Sequence, residues 1–394
     1  MLNRLTQQPP DALLALIKLY DADPAPDKID LGVGVFRTES GATPVFGAIK
    51  AAERLLVERQ DSKSYLGPEG DMGFVHRLMP YIFGDRHDSP LLGGMQTPGG
   101  TGAVRLALAL AKRAGVTRVL MGTPSWPNHA QIVADLGLEL VAFNHATPDG
   151  VADVDALLAA LGDAGEGAAV LLHGCCHNPT GVDYTPAEWD RIVAALAAGT
   201  VLPIVDLAYQ GLGAGMEEDA YGARAVLAAV AEALVAYSCD KNFGLYRDRV
   251  GALYWQGEDA DSVTRTTSNG YALARAAWSM PPDHGAAAVR LVLEDEALTA
   301  DWLAELEGMR DRIRSVRQAL AAHGTAGSLD LTPYGRQQGM FAMLPLTPAE
   351  IAALRADHSI YMAGSGRINI AGLTPGNIDK FTGALAAVTQ TVVA

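Results

Sequence analysis

The sequence predicts an α/β protein with a large body on a mostly parallel sheet flanked by helices, and a smaller α+β unit. Three observations carry this. Between Gly99 and Gln256, short apolar or β-branched runs alternate with helical stretches, the pattern of repeated βαβ units. From 298 to 320 an apolar residue recurs every three or four positions, as on one face of a long helix. Beyond that point strand-like runs and helical stretches mix in a different texture, which suits a separate α+β layer.

In chain order, the strand signals lie at 119–121, 140–143, 170–172, 203–205 and 234–237, and helices are expected at 104–114 and 188–198. Strands covered on both faces read as unbroken apolar runs, and their ligands lie beyond the strand C-termini. The long helix carries Leu298, Trp302, Leu306, Met309, Ile313, Val316 and Leu320 and would bridge two domains. After it, strands are expected at 339–346, 360–363 and 367–371, with helices at 348–357 and 376–393. The N-terminal stretch is expected to join this part, so that residues 44–310 form the large domain, and 1–43 with 311–394 the small one.

Composition narrows the function. Of 394 residues, 49% are hydrophobic and 19% charged, as in globular chains and unlike disordered ones. Thirty Lys and Arg against 45 Asp and Glu leave a net charge of −15, which repels a phosphate backbone, so nucleic acid is not an expected partner. The longest early apolar run, 12–17, is too short for a signal peptide or a membrane span. With three cysteines, two of them adjacent, no secreted disulfide framework can be drawn. A cytoplasmic protein without membrane partners is expected.

Chemistry concentrates after the apolar runs. Lys241, one of only seven lysines, stands in Ser238-Cys239-Asp240-Lys241-Asn242-Phe243-Gly244. Placed there, a lysine amine desolvated by burial could attack a carbonyl and form a Schiff base, although most lysines are simply solvated. Arg249 and the turn Gly99-Gly100-Thr101-Gly102, which opens a helix, suit a phosphate. A phosphate anchor beside a Schiff-base lysine is the minimum for holding pyridoxal 5′-phosphate. Asp206, ending the run 203–205, could keep a pyridine nitrogen protonated. Tyr209 and Asn178 could bond a ring oxygen, and Trp126 could stack on a ring; for Tyr209 or Trp126 taken alone, core packing is the blander reading. Arg275 and Arg367 could each fork onto a carboxylate. The run His173-Gly174-Cys175-Cys176-His177 offers zinc-type ligands, but no second ligand pair exists, and strand alternation would put His173, Cys175 and His177 on one face. These are read as buried packing and supporting residues, and no metal is expected.

The ordered segments 96–102, 124–129, 177–181 (HNPTG), 206–211, 241–246 and 366–369 closely resemble those of the class I aspartate and aromatic-amino-acid aminotransferases, over nearly the whole chain. The resemblance implies a type I pyridoxal-phosphate-dependent transferase fold with a seven-stranded, mostly parallel sheet. It implies that Lys241 binds the cofactor and shuttles a proton, and that Asp206 holds the pyridine nitrogen with His129 and His173 behind it. Tyr209 and Asn178 would bind the ring oxygen, Trp126 would stack, and Gly100, Thr101, Ser238 and Arg249 would hold the phosphate. Arg367 would clamp the substrate α-carboxylate near Gly34. Tyr65 and Arg275 match residues that act in the neighbouring subunit's site, which implies a homodimer with shared active sites. Arg275 implies that 2-oxoglutarate or oxaloacetate accepts the amino group.

The implied activity is transamination of aromatic and/or acidic L-amino acids by a ping-pong mechanism, with the aromatic type favoured. A strict aspartate aminotransferase, or a β-decarboxylase or lyase on the same fold, are the alternatives. A non-catalytic cofactor sensor would need a basic DNA-binding extension that the chain lacks. Two departures stand out. Asp240 replaces the usual serine near the phosphate and would repel a dianion unless protonated, turned away or paired with an arginine such as Arg247. Met280 replaces a polar residue before Pro281-Pro282, which would loosen the surroundings of Arg275.

Overall fold

A computed structural model describes residues 1–7 and 12–389. The chain forms two compact units, one spanning Pro44–Asp311, the other combining Met1–Thr43 with the chain from Arg312 on.

The larger unit is built on seven strands: β1 (Leu92–Pro98), β2 (Arg118–Thr123), β3 (Glu139–Asn144), β4 (Ala168–His173), β5 (Leu202–Leu207), β6 (Ala233–Ser238) and β7 (Val250–Gln256). They lie in the order β1-β7-β6-β5-β4-β2-β3. From β3 to β6 every pairing is parallel, whereas β7 runs antiparallel to both β6 and β1. The five runs seen in the sequence are β2 to β6, each longer by two or three residues than its apolar stretch. β1 and β7 had no such signal, because Gly93, Gly94, Gln96 and Thr97 break up the first and Gly251 and Gln256 the second.

Helix Gly99–Arg113 leaves β1 directly and buries Val104, Leu106, Leu108 and Leu110. Helix Pro186–Ala198 is started by a capping box between Thr185 and Glu188 with Pro at its first turn, the arrangement that satisfies the orphan N-terminal amides. The topology brings the C-terminal ends of β1, β2, β4, β5 and β6 to one edge, where β7 begins. Pro98 pairs with Val250 and Ser238 with Gly251 in register, so the helix at Gly99, the end of β6 and the residue before β7 converge.

In the smaller unit Ile29–Asp30 pairs in parallel with Ile360–Tyr361, and Phe341–Met343 pairs antiparallel with Arg367–Asn369. Their core joins Ile29, Leu31, Leu354, Ile360, Ile368 and Phe381. The expected strands 339–346 and 367–371 are shorter, the latter ending in the 3-10 turn Ile370–Gly372. Of the helix expected at 376–393, Ile378–Val388 is helical, and 390–393 lies outside the described residues. The long helix spans Glu296–Ala322, with Trp302, Leu306, Ile313 and Leu320 of its apolar stripe buried. Among the described residues no helix is long and apolar enough to cross a membrane.

Candidate active site

The converging strand ends form an anion cup. Its floor is the start of helix Gly99–Arg113, whose first turn carries no acidic residue and so presents free backbone amides and the positive end of the helix dipole. Ser238 is fully buried at the end of β6. A Cβ on Gly100 would stand 2.8 Å from the Ser238 Cβ, and a Cβ on Gly251 would stand 2.6 Å from the Gly99 carbonyl carbon. Only hydrogen at both positions lets the strand and the helix N-terminus approach this closely. Arg249 completes the cup with a left-handed backbone, φ 56°, a conformation uncommon for a non-glycine residue and typical of functional turns. Its Nη1 donates to Asp240 Oδ2 at 2.7 Å. The arginine that pairs Asp240 is therefore Arg249, not Arg247 as the sequence suggested, because the left-handed turn at 249 returns that side chain toward residue 240.

Lys241 follows in the same turn. It is partly buried, with Nζ 4.9 Å from the centroid of the Tyr209 ring. Burial lowers its ammonium below the ordinary lysine value, opposed by Asp240 and Asp206 and assisted by Arg249. The turn is pinned on either side of the lysine. Asn242 Nδ2 donates to the Tyr237 hydroxyl at 2.8 Å, which donates to Gln210 Oε1 at 2.9 Å. Trp302 Nε1 donates to the Asn242 carbonyl at 2.7 Å, and its ring stacks on Phe243.

Asp206 sits at the end of β5, opposite His173 of β4 in register. His129 Nε2 lies 2.9 Å from Asp206 Oδ2, and Ser125 Oγ lies 3.1 Å from both His129 Nδ1 and His173 Nε2. Burial alone would raise the Asp206 carboxyl, but the His129 hydrogen bond and the neighbouring His129, His173 and Lys241 outweigh it and hold the group below its ordinary value. Burial pushes His173 down to about 3, so it stands neutral at physiological pH.

Asn178 Nδ2 donates to the Tyr209 hydroxyl at 3.3 Å, and both residues are buried. Their loop is tied by Asp183, whose carboxylate accepts from the amides of Cys176 and His177 at 2.7 Å each. Strand β4 ends at His173, and Cys176 has φ 51°, so the strand alternation expected through His177 does not hold; the chain turns to present Asn178. His177 instead stacks on His145, with ring centroids 3.4 Å apart. The Cys175 and Cys176 sulfurs lie close to the Asp219 carboxylate, which already accepts from Gly211, Gly213 and Ala214. Trp126 is half-buried and meets His129 edge to face at 5.0 Å.

Tyr65 is 94% exposed. Its neighbour Leu66 offers its amide to Met280 Sδ at 3.1 Å, and exposed Arg275 donates to Ser279, itself left-handed. Thus Met280 meets the segment that carries Tyr65. In the smaller unit Arg367 Nη2 donates to the Gly32 carbonyl at 3.0 Å and its guanidinium lies over the Phe341 ring. Asn369 donates to the Val33 and Val35 carbonyls on either side of Gly34. Sequence reasoning gave no role to Ser125, Trp302 or Gln210. Ser125 stood within a quoted segment and Gln210 beside Tyr209, but only the fold aligns them.

An anion cup, a lysine with a lowered amine and a buried carboxylate meet at one sheet edge, a set of groups that suits a phosphorylated carbonyl cofactor. The chain matches the family model described as aminotransferase class I and II over residues 26–385. It is 48% identical over 384 residues to a tyrosine aminotransferase of Rhizobium meliloti, covering 97% of this chain and 99% of that protein. To the aspartate aminotransferase of Escherichia coli it is 41% identical, covering 98% and 100%. An aromatic-amino-acid aminotransferase of Burkholderia pseudomallei, solved covalently bound to pyridoxal phosphate, superimposes with a TM-score of 0.94 at 35% identity, over 99% of this chain and 100% of that one. The protein belongs to the class I and II aminotransferase family and is a pyridoxal-phosphate-dependent transaminase of amino and 2-oxo acids. The site fits that cofactor: glycines line the cup where a phosphate needs room, and the buried Asn178 Oδ1 and Asp240 Oδ1 have no hydrogen-bond partner among the described residues.

Proposed function

We propose that this transaminase takes aromatic L-amino acids as its main donors and acidic ones as well, passing the amino group to 2-oxoglutarate or oxaloacetate in a ping-pong cycle. Bound in the site, pyridoxal 5′-phosphate supplies an aldehyde that takes up the amino group and a ring that withdraws electrons from the substrate Cα. Lys241 Nζ, whose burial favours the neutral amine, holds the cofactor covalently at rest, then accepts the Cα proton and returns it. Asp206, kept ionised by His129, holds a proton on the pyridine nitrogen; Ser125 and His173 fix the His129 ring. Tyr209 and Asn178 bind the ring oxygen, and Trp126 stacks on the ring. Gly100, Thr101, Ser238 and Arg249 bind the phosphate.

Arg367, oriented by Gly32 and Phe341 beside Gly34, takes the α-carboxylate. Tyr65 and Arg275 serve the site of a second copy, making the working form a homodimer with shared sites. Residues 44–310 act as the cofactor domain and 1–43 with 311–394 as the small domain, in the cytoplasm. The reading is carried by the lowered Lys241 amine in the turn that also bears the cup, and the aromatic preference is supported by the 48% identity to a tyrosine aminotransferase. Arg275, exposed and tied to Ser279, supports acceptance of acidic side chains; a strict aspartate aminotransferase is the second reading, supported by the 41% identity to one.

Borohydride reduction of the resting enzyme followed by peptide mapping tests the first claim: the label belongs on Lys241, and its absence there defeats the site assignment. Mixing the cofactor-loaded enzyme with aspartate, glutamate, tyrosine, phenylalanine and tryptophan separately, and following the cofactor spectrum, tests the second. Conversion by aspartate and glutamate alone would establish the narrower enzyme.

A further inference from the structure

Asp240 is a buried carboxylate inside an anion cup. It is 5% exposed. Oδ2 accepts from Arg249 Nη1 at 2.7 Å, while Oδ1 is buried and has no hydrogen-bond partner among the described residues. The backbone amide of Asp240 donates to Ser238 Oγ at 3.2 Å, which ties the residue to the wall that Gly100 approaches. Around it stand Lys241 in the same turn, the buried Cys239 thiol, the Arg249 guanidinium and the N-terminus of helix Gly99–Arg113.

An acceptor-only oxygen left without a donor in a buried place is costly. Because Arg249 shares its charge with Asp240 through Nη1, it offers a phosphate donors but little net positive charge, which leaves the helix end and whatever Lys241 carries. A phosphate dianion would set two negative charges against the open Oδ1. A phosphate bearing one proton instead supplies the donor that Oδ1 lacks, and O–H···O⁻ bonds of this kind are short and strong.

We infer that the cup takes the phosphate ester together with one proton from solvent, carried in a hydrogen bond to Asp240 Oδ1 while Oδ2 stays on Arg249. No covalent bond forms or breaks in this step. The inference rests on the cup being the cofactor phosphate site. Asp240 is then a positioning and protonation-selecting residue rather than a catalytic one. A phosphate monoester has a second pKa of about 6, so only about one molecule in ten carries the proton at pH 7. Capture of the protonated form makes cofactor binding weaken as pH rises.

The test is calorimetric titration of the cofactor-free full chain with pyridoxal 5′-phosphate at pH 8, in two buffers of different protonation enthalpy. The wild-type protein should take up about one proton more per cofactor than Asp240→Ser and Asp240→Asn, once the proton change at Lys241, which Asp240 helps to set, is measured in each protein from the pH dependence of Lys241 labelling and subtracted. Its apparent Kd should rise about tenfold more per pH unit than that of the variants between pH 7 and 9. Equal proton uptake with parallel pH profiles overturns the inference, and does so alone if borohydride still labels Lys241. An unlabelled Lys241 overturns the site assignment and this inference with it.

Discussion

His129 and Asp206 form a closed pair: the imidazole is fully buried and its Nε2 lies 2.9 Å from the carboxylate. Because burial would otherwise raise this carboxyl, its lowered value depends on His129. A carboxyl lowered in the folded state adds stability above its unfolded value of 3.8, and loses it as pH falls through the folded value. His129→Leu should let burial govern, so that Asp206 takes up a proton at higher pH. Stability at pH 7 should fall by about 1–3 kcal/mol through the unpaired carboxylate. Urea unfolding from pH 4 to 7 should show the acid limb moved to higher pH; an unmoved limb would contradict the pairing.

His145 supplies a second pH handle. Burial holds it down to about 4, against 6.5 when free. As pH drops from 6.5 towards 4 the unfolded chain gains a proton that the folded one refuses, so stability is lost across that window, at up to about 1.4 kcal/mol per pH unit. In His145→Gln the pH dependence of the urea midpoint between pH 6.5 and 4.5 should be shallower by about one proton. An unchanged slope would show that His145 titrates normally in the folded protein.

Gly251 tests the geometry of the cup. A Cβ there would collide with the Gly99 backbone and, at 2.7 Å, with the Tyr237 carbonyl oxygen, and neither neighbour is a side chain that can rotate away. Gly251→Ala should weaken cofactor binding at least tenfold and cost about 1–3 kcal/mol of stability through overpacking. Gly308→Ala on the long helix, where an added Cβ would meet no described group beyond the helix's own backbone within 4 Å, should instead stabilise by about 0.5–1 kcal/mol. Fluorescence titration and thermal unfolding read both, and a harmless Gly251→Ala would refute the close approach.

Trp302→Phe keeps a ring against Phe243 but removes the donor to the Asn242 carbonyl. The expected cost is about 1–3 kcal/mol of stability, together with slower labelling of Lys241 by the cofactor. Denaturant unfolding and stopped-flow absorbance would detect these. If both match wild type, the long helix does not support the lysine turn.

Arg275→Leu should cut kcat/KM for aspartate and glutamate by about two orders of magnitude or more, and leave the aromatic donors within a few fold, as expected for loss of a bidentate guanidinium–carboxylate contact with the substrate side chain. An equal loss for every donor would assign Arg275 to folding or assembly.

Of the five strands that could be read from the sequence, β2, β4, β5 and β6 are buried on both faces, which demands continuous apolar residues, whereas β3 is the mostly exposed edge strand. β1 and β7 could not be read, since glycines interrupt both runs: Gly93 and Gly94 make room for Trp255 and Tyr254, and Gly251 admits the Gly99 backbone. Lys241, Asp206, Asn178 and Ser238 were legible as polar residues placed just after or at the end of an apolar run, and the order of six segments pointed to the family. The partner of Asp240 was not legible: Arg247 and Arg249 are near equivalents on paper, and a single left-handed residue decides between them. Nor was the bridge from Ser125 to His173, 48 residues away, or the grip of Trp302 on Asn242, 60 residues away. Such long-range bonds depend on which strands become neighbours, not on local pattern.

The fastening of the lysine turn, through Asn242 to Tyr237 and Gln210 on one side and through Trp302 on the other, separates what moves from what stays. The backbone of residues 239–243 is set once, when the chain folds, so each turnover has only the four-carbon arm of Lys241 left to reorient. The ordering entropy that a reacting pair would otherwise lose at every encounter is thereby transferred to folding. A lesion in this support should therefore show first as a slowed chemical step in an enzyme whose occupancy and substrate affinity still look normal.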